Sequence, residues 1–309
     1  MQNLPIMNKC TSDYRGRFAP SPTGSLHFGS LVAAVGSYLD ARTCQGKWFV
    51  RIEDLDPPRV VEGATDEILR TLEAFGLFWD GDVVYQSHRA DAYRAALEAL
   101  SQQGILYPCN CSRREIADSS LDTSSGPIYP GHCRSGMRVG RAIHALRLRT
   151  DNIPIHFCDR LLGDYGQCLE LEVGDFVLRR VDGLTAYQLA VVVDDAEQGI
   201  THVVRGADIL DSTPRQIYLQ RLLHYSTPSY LHLPVAVNVQ GEKLSKQTLA
   251  PALNSLDPLP QLTRVLAFLG QGPPPELAES SLSDFWSWAV ANWAVHKIPQ
   301  LRVLPANDQ

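Results

Sequence analysis

No apolar run in this 309-residue chain approaches the roughly eighteen residues that a membrane span needs, and the first residues lack a charged-then-apolar signal pattern. The expectation is a cytoplasmic protein with no membrane partner. A basic surplus is also missing. The 28 Lys and Arg stand against 34 Asp and Glu, a formal charge of −6, which excludes a protein that coats nucleic acid through bulk electrostatics. Any RNA contact must then be local. The stretch from Arg134 to Thr150 could supply it, since Arg134, Arg138, Arg141, Arg147 and Arg149 occur there with no acidic residue; a solvated basic face fits the same pattern. A disulfide framework is not indicated either: the 7 cysteines are odd in number and some are clustered, which suggests thiols and a metal. Internal repeats and low-complexity tracts are absent. What remains, with 44% hydrophobic and 20% charged positions, is enough for a large core with one or two appended modules.

The chain is organised around residues 17–30, Arg-Phe-Ala-Pro-Ser-Pro-Thr-Gly-Ser-Leu-His-Phe-Gly-Ser. Pro20 and Pro22 stiffen a loop, Thr23-Gly24-Ser25 favours a turn, and Leu31, Val35, Tyr38 and Leu39 have helical spacing. A rigid loop therefore enters a helix N-terminus, whose unpaired N–H groups and dipole attract phosphate. His27 and Gly29 fall in the first turn: the imidazole can donate to a phosphate oxygen, and the glycine lets a flat adenine approach the backbone.

Residues 1–14 show no periodicity. Lys47–Ile52 is β-branched and aromatic enough to be a strand, completing a β-loop-α-β start, and Arg51, Glu53, Asp54, Asp56 and Arg59 crowd its carboxyl end, where open α/β sheets place ligands. Ala64, Ile68, Leu72 and Phe75 predict a helix ending near Gly76; Ser87 can cap another that carries Tyr93, Leu97 and Leu100. Regular patterning stops near Leu106 and resumes near Ala186, so 106–185 reads as an insertion between two halves of a sheet. The apolar run Tyr187–Val193, closed by Asp194 and Asp195, and the run Thr201–Arg205 read as its resumed strands. Thr213-Pro214 starts a helix, Leu233–Val237 leads to a Lys/Ser loop, and amphipathic segments from Pro258 and Ser283 flank a triple-proline linker.

Two constellations carry chemistry. Lys243 and Lys246, with Ser245 between them and Gly241 as a hinge, suit a mobile loop that closes over a nucleotide and stabilises charge on departing pyrophosphate. Cys109-Asn110-Cys111 and, further on, Tyr129-Pro130-Gly131-His132-Cys133 offer three thiolates and a fourth donor, enough for a closed tetrahedral Zn2+ site. On chemical grounds alone His132 would be the usual fourth ligand.

Residues 17–30 resemble the nucleotide-binding signature of class I aminoacyl-tRNA synthetases in its glutamyl form, and Lys243-Leu244-Ser245-Lys246-Gln247 resembles their second signature. The pattern departs at Ser30, where the class has His, and at Gln247, where it has Ser. The resemblance covers about residues 15 to 255 and implies a Rossmann-type α/β catalytic domain in two halves, 15–105 and 186–255, with a zinc-binding insertion at 106–185 and a short C-terminal helical region at 256–309. It implies ATP with Mg2+ as co-substrate, bound by His27, Gly29 and Lys246, with His27, Lys243 and Lys246 catalytic. Positions that bind L-glutamate in the family match Arg17, Phe18, Ala19, Pro20, Ser21, Glu53, Tyr187 and Arg205: arginine forks for the carboxylates, Glu53 for the ammonium group and a Tyr187 hydroxyl. It points to Tyr129, rather than His132, as the ligand that joins Cys109, Cys111 and Cys133 on one Zn2+.

Residues 186–195, Arg205–Asp208 and the lysine motif look most like the short paralogue family, the glutamyl-queuosine tRNA(Asp) synthetases, and little chain follows Gln247 to hold a large anticodon-binding region. That resemblance implies a monomer that activates glutamate without tRNA and transfers it to the cyclopentene-diol of queuosine in queuosine-modified tRNA(Asp). A minimal enzyme charging the tRNA 3′ end and a non-catalytic RNA-binding paralogue are the alternatives; intact Arg17, Glu53, Arg205, Lys243 and Lys246 argue against the latter.

Overall fold

The structure is a computed structural model that describes residues 13–112, 114–116, 122–123, 126–137, 145–244 and 251–306. In chain order the principal elements are β1 (Arg15–Phe18), α1 (Phe28–Thr43), β2 (Lys47–Ile52), α2 (Ala64–Ala74), β3 (Val84–Tyr85), α3 (Ala90–Gln102), β4 (Leu106–Cys109), β5 (Ala145–Leu148), β6 (Ile155–Asp159), β7 (Gly163–Gln167), β8 (Phe176–Arg179), α4 (Tyr187–Glu197), β9 (His202–Gly206), α5 (Thr213–Leu222), β10 (Ser229–Leu233), β11 (Val235–Val237), α6 (Pro258–Phe268), α7 (Leu282–Asn292) and β12 (Val303–Pro305).

β1, β2 and β3 pair in parallel, as do β9 and β10, and the Thr201 N–H donates to the Arg15 carbonyl at 3.0 Å, setting β9 beside β1. The parallel strands are buried because helices cover them: Trp48, Val50 and Ile52 of β2 have no exposed surface, and the Trp48 indole donates to Ser37 Oγ at 2.9 Å. α1 is buried along most of its length. It shares one apolar core with the sheet and with Leu262, Val265, Leu266 and Phe285 of α6 and α7. A second core joins α3, α4 and α5 to Leu148, Ile155 and Phe176 of the segment between the two halves of the sheet. Within that segment β8, β5 and β4 form an antiparallel sheet, β6 and β7 a hairpin, and a small third cluster gathers Cys109, Tyr129 and Cys133.

The structure differs from the expectations at four points. The run Tyr187–Val193 is a helix, continuing to Glu197, not a strand. It lies in the second core with Leu189–Asp195 all buried, and a helix buried on all sides shows no polar face to mark its period. Ser87 does not cap α3, which begins at Ala90; its N–H and hydroxyl instead bind the Asp54 carboxylate at 2.8 and 2.6 Å. Beyond α7 the chain forms β12, which pairs in parallel with β11 and was not anticipated, because three residues carry too little periodicity to read. Among the cysteines outside the cluster, Cys158 and Cys168 are free, whereas Cys44 is disulfide-bonded, contrary to a reading of thiols alone.

Candidate active site

The stretch 17–30 runs from the carboxyl end of β1 into α1. His27 is the N-cap of α1: its Nδ1 accepts from the Ser30 N–H at 3.4 Å, and Ser30 Oγ accepts from the His27 N–H at 2.8 Å, a reciprocal cap. Ser30, the departure from the class pattern, thus secures the helix start. A neutral imidazole that accepts at Nδ1 carries its proton on Nε2, the donor a phosphate oxygen would meet. His27, Gly29 and Ser30 line a cavity of about 210 Å³ with Gly206, Asp208, Pro234, Lys243 and Leu244. A Cβ on Gly29 would stand 3.2 Å from the Leu244 carbonyl oxygen, so the glycine keeps this wall open. Lys243 enters through a short hairpin in which the Leu244 N–H donates to the Ala236 carbonyl at 2.8 Å, and its Nζ lies 2.5 Å from Asp208 Oδ2. Past the lysine loop the chain returns to the same place, with the Leu253 N–H donating to the Leu26 carbonyl at 3.0 Å. Ser245, Lys246 and Gln247 lie outside the described residues.

Next to this cavity, and sharing Ala33 and Gly206 with it, is a second of about 370 Å³ lined by Arg17, Phe18, Ala19, Ser21, Glu53, Tyr187 and Arg205. The structure therefore brings together the residues read as a glutamate site. Pro20 is buried beneath; its carbonyl accepts from the Glu53 N–H at 3.0 Å, which fastens the loop to the end of β2.

The charges are fixed from behind. Arg17 donates to both oxygens of Asp195 (3.1 and 3.3 Å), and Arg51 donates to Asp195 Oδ1 (2.7 Å) and stands 3.7 Å from Glu53 Oε1. Burial would raise the Asp195 carboxyl, but the two guanidinia outweigh it and hold it below the usual range. Glu53 has no such bidentate partner; burial pushes it up to about 7 against the pull of Arg51 and Arg17. Asp194 accepts from Gln86 (2.7 Å), Arg89 (2.5 Å) and Tyr93 (2.9 Å) and stands 3.8 Å from Arg51 Nε. Arg205 donates from Nε to His232 Nε2 (3.1 Å), from Nη1 to Gln216 (2.8 Å) and from Nη2 to Thr213 Oγ1 (2.8 Å). The sequence reading missed Asp195, Asp208, His232, Thr213 and Gln216. One signal was available: paired acids closing a long apolar run must be buried, and buried carboxylates need cations.

In the insertion, the sulfurs of Cys109, Cys111 and Cys133 lie within 4.8 Å of one another. The Tyr129 hydroxyl joins them, 3.3 Å from Cys109 Sγ and 3.8 Å from Cys111 Sγ, with the Arg147 guanidinium 3.8 Å over its ring. His132 is exposed and does not belong to the group of donors. Two of the arginines considered for RNA are structural here. Arg134 binds Asp175 (2.6 Å) and Glu170 (2.7 Å), and buried Arg147 donates to the Asp175 carbonyl (2.6 Å). Arg149 is exposed; Arg138 and Arg141 lie outside the described residues.

Residues 13–264 match the family model for the catalytic domain of class I tRNA synthetases (E and Q). The chain is 60% identical over 299 residues to the glutamyl-Q tRNA(Asp) synthetase of Dechloromonas aromatica, covering 96% of this chain and 99% of that one. It is 54% identical over 295 residues to the protein of the same name from Pseudomonas aeruginosa strain PAO1, covering 96% and 98%. In fold it is similar to two solved glutamate-tRNA synthetases, from Elizabethkingia anophelis (TM-score 0.77, 23% identity, 94% of this chain and 67% of that chain) and Elizabethkingia meningosepticum (TM-score 0.78, 23% identity, 96% and 67%). Among the described residues no helix is long and apolar enough to cross a membrane.

Proposed function

Because the chain belongs to the class I tRNA synthetases for glutamate and glutamine, and within them to the glutamyl-Q tRNA(Asp) synthetases, we propose that it first activates glutamate with ATP, without tRNA. It then passes the glutamate to the cyclopentene-diol of queuosine in the anticodon of tRNA(Asp). The observation that carries this reading is the pair of adjoining cavities, one lined by Arg17, Glu53, Tyr187 and Arg205, the other by His27, Gly29 and Lys243.

In the first step a glutamate α-carboxylate oxygen attacks the α-phosphorus, the bond to pyrophosphate breaks, and glutamyl-adenylate forms. Arg17 and Arg205 bind the two carboxylates of the substrate, ionised Glu53 holds the ammonium, and the Tyr187 hydroxyl donates to substrate oxygen. With reactants side by side in one cleft, much of the barrier is removed by orientation. His27 and the N-terminus of α1 hold phosphate, while Lys243, drawn from Asp208, and Lys246 stabilise charge on the leaving pyrophosphate. Mg2+ accompanying ATP would add positive charge at the same phosphates. In the second step a queuosine hydroxyl oxygen attacks the glutamyl carbonyl carbon and AMP departs.

The insertion fits one Zn2+ of the structural type, held by Cys109, Cys111, Cys133 and Tyr129, since three soft donors and a phenol oxygen already converge in a closed, mostly buried site. Zinc there would cross-link β4 to the Tyr129–Cys133 segment. We read 106–185 as the module it stabilises and 256–309 as a helical region packed on α1.

Glutamate-dependent exchange of labelled pyrophosphate into ATP, with no RNA present, tests the first step. Exchange is expected with the purified protein; exchange that appears only when tRNA is added would overturn the tRNA-independent reading.

A further inference from the structure

The Arg205 guanidinium is held by a buried relay. His232 has no exposed surface, and its Nδ1 lies 2.6 Å from Asp159 Oδ2. Its Nε2 meets two groups, Arg205 Nε at 3.1 Å and Thr213 Oγ1 at 3.2 Å. Nε of an arginine only donates, so the Nε2 it meets must be an acceptor, and the ring proton must sit on Nδ1, facing the carboxylate. Desolvation by burial, joined by the Arg205 charge, pushes the imidazole down to about 4, so the ring is neutral at neutral pH. Asp159 is committed as well. Its Oδ1 accepts from the N–H groups of Leu161 (3.0 Å), Leu162 (3.0 Å) and His232 (3.3 Å), which fixes Oδ2 toward the imidazole.

We infer that Asp159 and His232 form a positioning pair for Arg205. The carboxylate selects the tautomer, the tautomer presents an acceptor, and the guanidinium is locked from behind by His232, Gln216 and Thr213. Three of its five N–H groups are thereby committed, which leaves two for a substrate carboxylate. The inference rests on the reading of Arg205 as a glutamate ligand. It adds a specificity element built from β6 and β10, neither of which touches the cavity through these side chains.

Asp159→Asn is the informative variant. The three backbone donors keep the amide oxygen at the Oδ1 position, so the amide NH2 must face His232. It then donates to Nδ1, and the ring proton moves to Nε2, against Arg205 Nε–H. The expected result in the exchange assay is a rise in KM for glutamate of roughly tenfold or more, the loss of about one charge-assisted contact, with KM for ATP and kcat within about twofold. Nitrogen NMR of the histidine rings, with His232 assigned by its absence in His232→Gln, should show the proton on Nδ1 in the native protein and on Nε2 in Asp159→Asn. Should Asp159→Asn fail to fold, His232→Gln, whose amide oxygen can replace Nε2 as acceptor, should keep glutamate KM near native while His232→Leu raises it. An unchanged glutamate KM in a folded Asp159→Asn, or equal losses for glutamate and ATP, would overturn the inference. Absence of glutamate-dependent exchange in the native protein would instead remove the function on which it rests, and the tautomer measurement stands apart from both.

Discussion

Among the charged side chains of the pocket, the arginines are locked by partners and Glu53 is not. Arg17 and Arg51 are both held by Asp195, and Arg205 is held on three sides, whereas Glu53 is left with its nearest cation 3.7 Å away and its carboxyl pushed up to about 7 by burial. The folded protein binds this proton more tightly than an unfolded chain with a value of 4.5, so Glu53 subtracts stability progressively as pH rises from 4.5 to about 7. Substrate binding runs the other way, because an ammonium group is attracted by the ionised carboxylate. KM for glutamate should therefore rise as pH falls below about 7, approaching about tenfold per unit, and level off above it. Glu53→Gln should raise KM and flatten that profile; a native profile flat from pH 6 to 8 would remove Glu53 from the ammonium role. That Arg17, Glu53, Tyr187 and Arg205 belong to one pocket was readable from motif positions. Their supports were not, since Asp195 lies 178 positions from Arg17 and Asp159 lies 73 from His232.

Among the elements, the cysteine module shows how backbone shape sets the Tyr129 phenol beside the thiols. Tyr129 pairs with Gly174 in an isolated parallel bridge, and Gly174 has φ +72. A Cβ there would lie 2.3 Å from the Tyr129 carbonyl oxygen and 2.8 Å from its nitrogen, both backbone atoms that cannot swing aside. Gly174→Ala should therefore push Tyr129 from the thiols and lower bound zinc well below one ion per chain in metal analysis, while His132→Ala, altering an exposed ring, should retain it. Metal retained in Gly174→Ala but lost in His132→Ala would restore histidine as the fourth ligand. The helix α4 carries a different lesson. Its apolar run looked like a buried strand because periodicity cannot separate a short strand from a helix enclosed on every side; its neighbours decide, and the sequence does not name them.

At the level of the whole molecule, the formal charge of −6 leaves RNA binding to a few groups, and Arg134 and Arg147 are already occupied by Asp175, Glu170 and the Tyr129 ring. Arg134 and Arg147 of the basic stretch therefore serve as internal bracing, with partners from a segment further along, while Arg149 is exposed. We expect glutamate to pass to an isolated anticodon stem-loop carrying queuosine, with activity falling as salt rises but less steeply than for a protein making many phosphate contacts. Transfer confined to intact, unmodified tRNA with a free 3′ ribose would favour the aminoacylating alternative.

By itself the sequence determined the parts whose meaning is carried by neighbours in the chain. These are the stiff loop that enters α1, the strand that delivers Glu53, the Cys-x-Cys pair, and the parallel α/β pattern of the first half. Such features follow from φ/ψ restriction, capping and two- or three-residue spacing, which any short segment displays. Only the tertiary structure decided that Tyr187–Glu197 is a helix, that Tyr129 rather than His132 reaches the thiols, and that Arg205 leans on His232 and Asp159. Each of these depends on burying polar groups against partners far away in sequence, and the free energy of a buried hydrogen bond or ion pair is set by where its partner is placed, which no local pattern encodes.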